Sequence, residues 1–393
     1  MLPRTGPASP TLTTEQGSPG CSTATAPGPR LPAADVTLSR VPGDPFGVAV
    51  TADGRWSFVS APFGPGPGRG EVSVLANSGS AAPRLARRIP VPQALGVALT
   101  HDGRYLLAAS LTGAVVIGVR QAEQGARHAV LGTLRSPRAG RGGFGGGAIE
   151  VAVSPDDRFA FVSLETSDEI AVFDLQRALA SGFRTSGFVG MIPLGIAVVG
   201  TAVAPDGRWL YATSELASQR TGHRSGLRGG QGTLSVISLS RAGTDPAHSV
   251  VATVTAGCGP VRVITSADGS VVWVTARESD TLLGFSAAGL LSDPAHSLVA
   301  RVEVGEAPVG LALVDGGQRI VVADSNRFAT GGARSSLAVV NVAAALAGKP
   351  ALAGYLPAAG FPRQMALAPD GRTLLVTNFT SGQLEEVNVA SLP

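Results

Sequence analysis

The side chains of this chain best suited to hold a ligand are arginines. All but one of its 31 Lys and Arg residues are Arg, the exception being Lys349. A guanidinium presents a planar fork of donors that matches carboxylate and phosphate oxygens, so clustered Arg points to an anionic ligand. The clusters stand in Gly-rich segments. LRSPRAGRGGFGGGA from Leu134 carries Arg135, Arg138 and Arg141. ELASQRTGHRSGLRGGQG from Glu215 carries Arg220, His223, Arg224 and Arg228. DSNRFATGGARSS from Asp324 carries Arg327 and Arg334. Catalytic sets are sparser. A hydrolytic triad needs a nucleophile, a base and an orienting acid, and of the five histidines only His223 shares a segment with clustered Arg. The two cysteines, Cys21 and Cys258, form no CxxC or zinc spacing. One lies in a tail and one in the body, so the sequence predicts no disulfide between them. GGFGGG at Gly142–Gly147 feeds a strand and opens no helix, which rejects a nucleotide fingerprint. No catalytic residue, metal ligand set or cofactor is expected.

The elements that must position the arginines are announced by a repeat. Apolar run, small or polar pair, Asp-Gly, Arg, apolar run recurs as VAVTADGRWSFVS at Val48, VALTHDGRYLLAAS at Val97, VAVSPDDRFAFVS at Val151, TAVAPDGRWLYATS at Thr201, VITSADGSVVWVTA at Val263, LALVDGGQRIVVAD at Leu311 and MALAPDGRTLLVTN at Met365. The turn residues are Asp53, Asp102, Asp156, Asp206, Asp268, Gly316 and Asp370, spaced by 48 to 62 residues. Asp-Gly between two runs rich in Val, Leu and aromatics is a hairpin signal. A third apolar run follows in every unit, and a fourth in the first six, from Arg84, His128, Gly187, Ser249, Ser297 and Ala351. The seventh unit ends without a fourth run, but DVTLSRVP from Asp35 supplies one ahead of the first unit. The prediction is an all-β, seven-bladed β-propeller of four-stranded blades, its ring closed by the N-terminal strand, which removes edges that would template aggregation. Glycine at 52 residues and proline at 28 provide the turns that this architecture demands.

This frame tells which residues face the axis. Six residues before each turn residue stand Gly47, Gly96, Glu150, Gly200, Arg262, Gly310 and Gln364, at the channel end of the first strand. Glu150, Arg262 and Gln364, with the adjacent Arg363, are therefore candidate ligand contacts. Arg138, Arg141, His223, Arg224, Arg277 and Arg327 belong to loops of the same face. Glu165, Asp168 and Glu278 are carboxylates on that face.

At the PDGR turns Pro205–Arg208 and Pro369–Arg372, and at VTN in Val376–Asn378, the chain resembles the YVTN-repeat family of β-propellers, over residues 34–393. It is less similar to WD40 proteins, having no Trp-Asp dipeptide and too long a period, and more loosely similar to seven-bladed lactonase-type propellers. The resemblance implies the fold and leans toward an extracytoplasmic bacterial protein. It does not imply a function, because propellers host enzymes, receptors and scaffolds alike.

Residues 1–33, rich in Pro, Ser, Thr and Gly and lacking an apolar h-region, read as a disordered tail without a signal peptide, and residues 34–393 as one propeller domain. Cys21 precedes small polar residues, as at the start of a mature lipoprotein, but Ser18-Pro19-Gly20 lack the aliphatic lipobox residue; a free thiol is the expectation. No apolar run is long enough to cross a membrane. A net charge of +3 is weak attraction for a polyanion. The expected function is a non-catalytic, monomeric binding scaffold with an anionic small molecule, glycan or protein at the channel mouth. A lactonase-like hydrolase and a nucleic-acid-binding propeller are the alternatives, the latter through Phe144 and Phe328 among the arginines.

Overall fold

The computed structural model describes residues 21, 26–32, 35–64, 70–77, 82–137, 147–217, 230–328 and 334–392. Among them stand seven four-stranded antiparallel sheets. Each is a blade whose strands follow in chain order from the axis outward. The innermost strands are Val48–Val50, Val97–Leu99, Ala148–Val153, Ile196–Val203, Pro260–Thr265, Pro308–Val314 and Pro362–Leu367. The last blade holds only three strands in sequence. Its outer strand is Val36–Arg40, paired antiparallel with Gln383–Asn388 in the register Val36↔Val387 to Arg40↔Gln383. The N-terminal closure expected from the sequence is the one observed.

The apolar runs face both ways because each blade is packed on two sides. One apolar cluster fills each junction between neighbouring blades, as with Phe173 and Leu134 between the second and third blades and Trp273 and Ile320 between the fifth and sixth. The hairpin turns cap themselves. The turn Asp accepts the backbone N–H two residues on, as Asp53 does from Arg55 at 3.0 Å and Asp206 from Arg208 at 2.9 Å. The residue between takes positive φ, 71° at Gly54 and 67° at Gly207, where glycine costs nothing.

A second repeated contact joins blade to blade. At the end of the second strand a Ser or Thr hydroxyl accepts an inner-strand N–H of its own blade, from Gly47 to Ser60, Glu150 to Ser163, Gly200 to Thr213 and Gln364 to Thr377, at 2.9–3.1 Å. The hydroxyl then donates to a carbonyl of the next blade: Ser60 to Leu95, Ser163 to Val199, Thr275 to Val309 and Thr377 to Phe46. In the second blade Ala109 takes this position, and the Gly96 N–H reaches the Ile149 carbonyl directly at 2.7 Å. Close approach of this kind requires glycine there, since a Cβ on Gly96 would lie 2.7 Å from that carbonyl oxygen.

Two features depart from the sequence reading. Short helices, Val119–Gln124, Leu175–Ala180, Leu239–Ala242, Ala287–Ser292 and Val342–Leu346, connect third and outer strands in the second to sixth blades. Asp174, Ser286 and Asn341 cap three of them through their side chains. The second departure is a correction. Cys21 is no free thiol: it forms a disulfide with Cys258, 237 residues away. Residues 26–32, which composition assigns to a disordered tail, run along the rim. Leu31 N–H donates to Tyr355 O and Tyr355 N–H to Pro29 O, each at 2.9 Å, adding a short parallel rung to the outer strand Leu352–Pro357. The Tyr355 hydroxyl donates to Ala26 O at 2.8 Å, and Ala26 N–H reaches Val304 O of the fifth blade. Gly354 makes room, since a Cβ there would fall 2.4 Å from Pro29 O. The cause is topological. A strand that completes the seventh blade has its preceding residues laid across the rims of the sixth and fifth, and Cys258 waits at the end of the fourth.

Candidate functional site

The axial cavity, 370 Å³ in volume, is lined by residues of all seven inner strands, among them Val48, Val97, Thr201, Leu311 and Met365. Its lining at the mouth end includes the polar positions that spacing singled out. Arg262 Nη2 lies 3.2 Å from Glu150 Oε1, and both side chains are nearly buried, 7% and 12% exposed. Gln364 Nε2 donates to the same oxygen. Two donors thus converge from the fifth and seventh blades on one carboxylate from the third. Backbone holds the group in place: Glu150 N–H and Gln364 N–H are fixed by the Ser163 and Thr377 hydroxyls. The remaining ring positions are glycines, and a Cβ on Gly47 would lie 2.8 Å from Gln364 Oε1.

Arg262 is only partly satisfied. Its Nη1 donates to Val261 O at 3.0 Å, whereas Nε has no partner and Nη2, despite the ion pair, makes no aligned hydrogen bond. Burial pushes the Glu150 carboxyl up, against the pull of Arg262 and Arg363.

Arg363 sits one residue earlier, where the other six blades carry Phe46, Leu95, Ile149, Val199, Val261 and Val309. A cation therefore replaces an apolar side chain in a ring of apolar side chains. Its guanidinium carbon lies 4.0 Å from the Phe46 ring centre, 5.1 Å from Phe361 and 5.3 Å from Phe379. Arg262 shares the Phe46 ring at 5.8 Å. Aromatic faces attract cations but do not replace an anion. Burial drives the Arg363 guanidinium well below its ordinary range, and repulsion from Arg262, Arg327 and Arg277 adds to it. Its Nε is buried without a hydrogen-bond partner.

Further out, Arg277 donates to Glu215 Oε2 at 2.9 Å, both buried, and stands over Phe328 at 5.9 Å. Glu165 is raised by burial and then by Glu215, while Arg277, Arg327 and Arg363 oppose the shift. Arg327 is exposed at the rim. Asp168 is structural, accepting the Ala197 N–H at 2.8 Å. Glu150, Arg262 and Gln364 thus meet, Arg363 lies beside them, and Arg277 and Arg327 are sensed electrostatically from the rim. Arg138, Arg141, His223 and Arg224, with Phe144, lie outside the described residues. The three phenylalanines about Arg363 and the partner role of Glu215 escaped the sequence reading. A signal existed for the first: seven residues before the turn, six units are apolar and one is Arg.

Three of the described histidines pair elsewhere. His248 and His296 pair with Asp245 and Asp293 at 3.0 and 2.9 Å in one-turn 3-10 helices, and His101 with Asp157 at 2.9 Å in a hairpin turn. Among the described residues no three His, Cys, Asp or Glu side chains converge as a metal site requires, and no helix is long and apolar enough to cross a membrane.

No protein-family model matches the chain, and no curated protein does. Solved structures do. Kuenenia stuttgartiensis hydrazine synthase aligns with a TM-score of 0.66 at 15% identity, over 90% of this chain and 97% of that one. The Cps50 (Swd1) β-propeller domain of Myceliophteria thermophila aligns at 0.62 and 14% identity, over 90% and 98%. At such identity the likeness establishes the propeller fold alone.

Proposed function

We propose that the chain is a non-catalytic binding scaffold that takes an anionic ligand at the mouth of its axial channel. The observation that carries this reading is the set of incompletely paired guanidinium groups there. Arg262, Arg277 and Arg363 each hold a buried Nε without a hydrogen-bond partner. A buried donor left unmade costs roughly 1–3 kcal/mol, more when charged, and a bound anion would remove that cost. Two of the guanidinium groups share the Phe46 ring and repel each other, and Glu150, the carboxylate that feels both, sets one charge against their two. The rigid ring positions them before the ligand arrives, which limits the ordering cost of binding.

The test is a thermal-shift series with phosphate, citrate, a sugar phosphate, an acidic glycan fragment and an oligonucleotide, at low and high salt. A small anion that stabilises the wild type at both salts, and about tenfold more weakly Arg363→Met, supports the reading, the factor being that for loss of one charged hydrogen bond. Methionine keeps the packing among the phenylalanines. Stabilisation by polyanions alone that vanishes at high salt overturns it in favour of a merely electrostatic surface.

A further inference from the structure

We propose that Arg262 and Gln364 form a carboxylate subsite which Glu150 fills with its own side chain, and that a small carboxylic acid seated in the axial cavity takes Glu150's place there. The proposal rests on the anion-binding reading and narrows it to a ligand class.

The donor set is the first argument. Arg262 Nη2 and Gln364 Nε2 converge on Glu150 Oε1, so the pair already grips a carboxylate. Glu150 grips back poorly. Held on the Ala148–Val153 strand, it reaches only one edge of the guanidinium and leaves Nε without a partner. A carboxylate arriving on a separate molecule is free to set its two oxygens against Nε and Nη2 together, the geometry in which Arg–carboxylate pairs are strongest. Exchange therefore trades a one-oxygen contact for a fork.

The space is the second argument. Glu150, Arg262 and Gln364 form one end of the 370 Å³ cavity, which continues toward the hairpin turns past Val97, Thr201, Val263, Leu311 and Met365. That volume is at the lower end for small-molecule sites. Its wall consists of inner strands, each the innermost of its sheet, so backbone groups alternate there with apolar side chains. The acid that fits is compact, with its carboxylate at the Arg262 end.

Protonation supports the exchange. Around Glu150 the charged groups are Arg262 from the fifth blade and Arg363 from the seventh; the first, second, fourth and sixth blades offer Gly47, Gly96, Gly200 and Gly310 at this level. Burial holds the Glu150 carboxyl up. As pH falls through that raised value Glu150 becomes neutral and releases Arg262, while an unburied acid of ordinary strength stays ionised. Affinity for such an acid therefore rises as pH falls through the raised Glu150 value.

Calorimetric titration of the full chain with butyrate, gluconate, butyramide and inorganic phosphate tests this, at a series of pH values from 8 down to 5, on wild type and Glu150→Gln. We expect Glu150→Gln to bind a carboxylate more tightly than wild type wherever Glu150 is ionised, by the reciprocal of the fraction of wild-type molecules with Arg262 released. Wild type should close that gap as pH falls through the raised Glu150 value, the variant should be insensitive to pH, and butyramide should not bind either. Equal carboxylate affinity and pH response in both proteins overturns the displacement of Glu150 and leaves the anion reading standing. Phosphate binding with no carboxylate binding in either overturns the ligand class alone. No binding of any anion overturns both. If Glu150→Gln does not fold, the wild-type pH response decides: a carboxylate that binds no more tightly at any lower pH of the series refutes the proposal.

Discussion

Arginines stand at both ends of this propeller's channel, and the two sets do different work. On the hairpin face Arg55 is 74% exposed and pairs with Asp53 of its own turn, and Arg104 and Arg158, 69% and 59% exposed, lie over the Tyr105 and Phe159 rings that follow them. Each finds its partners within its own blade. At the mouth Arg262 and Arg277 are 6% and 8% exposed, and their partners, Glu150 and Glu215, come from other blades. Water stabilises the first set at almost no cost; the fold must sustain the second. A residue type repeated by the motif is scaffolding where its neighbours in sequence complete it, and a candidate for function where only assembly of the ring does.

The sharpest way to break that contrast is to delete one arginine from each set. Arg262→Ala leaves the buried Glu150 carboxylate without its ion partner and is expected to destabilise by about 3–5 kcal/mol. Arg158→Ala removes an exposed side chain and should stay within about 0.5 kcal/mol. Urea unfolding of both variants measures the gap. Glu150→Gln introduced beside Arg262→Ala should recover part of the loss, because it removes the orphaned charge. If the two single variants unfold alike, the mouth pair is not sustained by the fold as described.

Carboxylates divide the same way and give the two faces opposite pH responses. Hydrogen bonds from Thr51 and Arg55 hold Asp53 down at about 2, and those from Ser266 and Ser270 do so for Asp268. A carboxyl lowered by folding stabilises the fold above its ordinary value near 3.8, and that contribution disappears as pH falls toward 2. At the mouth and rim burial raises Glu150, Glu165 and Asp324. A carboxyl raised by folding contributes stability below its unfolded value and loses it as pH climbs through the folded one. The melting temperature should therefore rise from pH 8 toward pH 5 and fall again below about pH 4. Glu150→Gln should flatten the upper limb, and Asp53→Asn should shift the lower. A melting temperature that only declines from pH 8 downward excludes the mouth carboxyls as a group raised by folding.

The ring was legible in the sequence because its determinants are local and repeat. Asp206-Gly207 makes a turn whatever surrounds it, and the fourth run absent after Gln383–Asn388 was visible at Asp35. The polar channel positions followed from counting back from each turn. What counting could not reach depends on distance in the chain. Cys21 and Cys258 meet only because the N-terminal strand is threaded into the seventh blade. Glu215 meets Arg277 across two blades, with 62 residues between them, and no motif links the two. The helices after the third strands were hidden for another reason: runs such as Leu175–Ala180 are too short for a helical period to emerge from the surrounding strands.

The smallest expected effect concerns how the mouth is held. Ser163 accepts the Glu150 N–H at 3.0 Å and donates to Val199 O of the next blade at 2.7 Å, fully buried. Ser266 makes a comparable pair of contacts on the hairpin face, with Asp268 at 2.5 Å and the Val271 N–H at 3.0 Å, but at the solvent edge. Ser163→Ala leaves a donor and an acceptor without water to replace the hydroxyl and should cost about 1–3 kcal/mol, whereas Ser266→Ala should cost about 1 kcal/mol or less. Stability alone does not separate a positioning role from a packing role. Anion affinity does, since only Ser163 holds the strand from which Glu150 projects. Ser163→Ala loosens Glu150's hold on Arg262 and should strengthen carboxylate binding, whereas Ser266→Ala should leave it intact. If both variants bind as wild type does, the hydroxyl joins blades without tuning the mouth, and the precision of the Glu150–Arg262–Gln364 group must come from the side chains themselves.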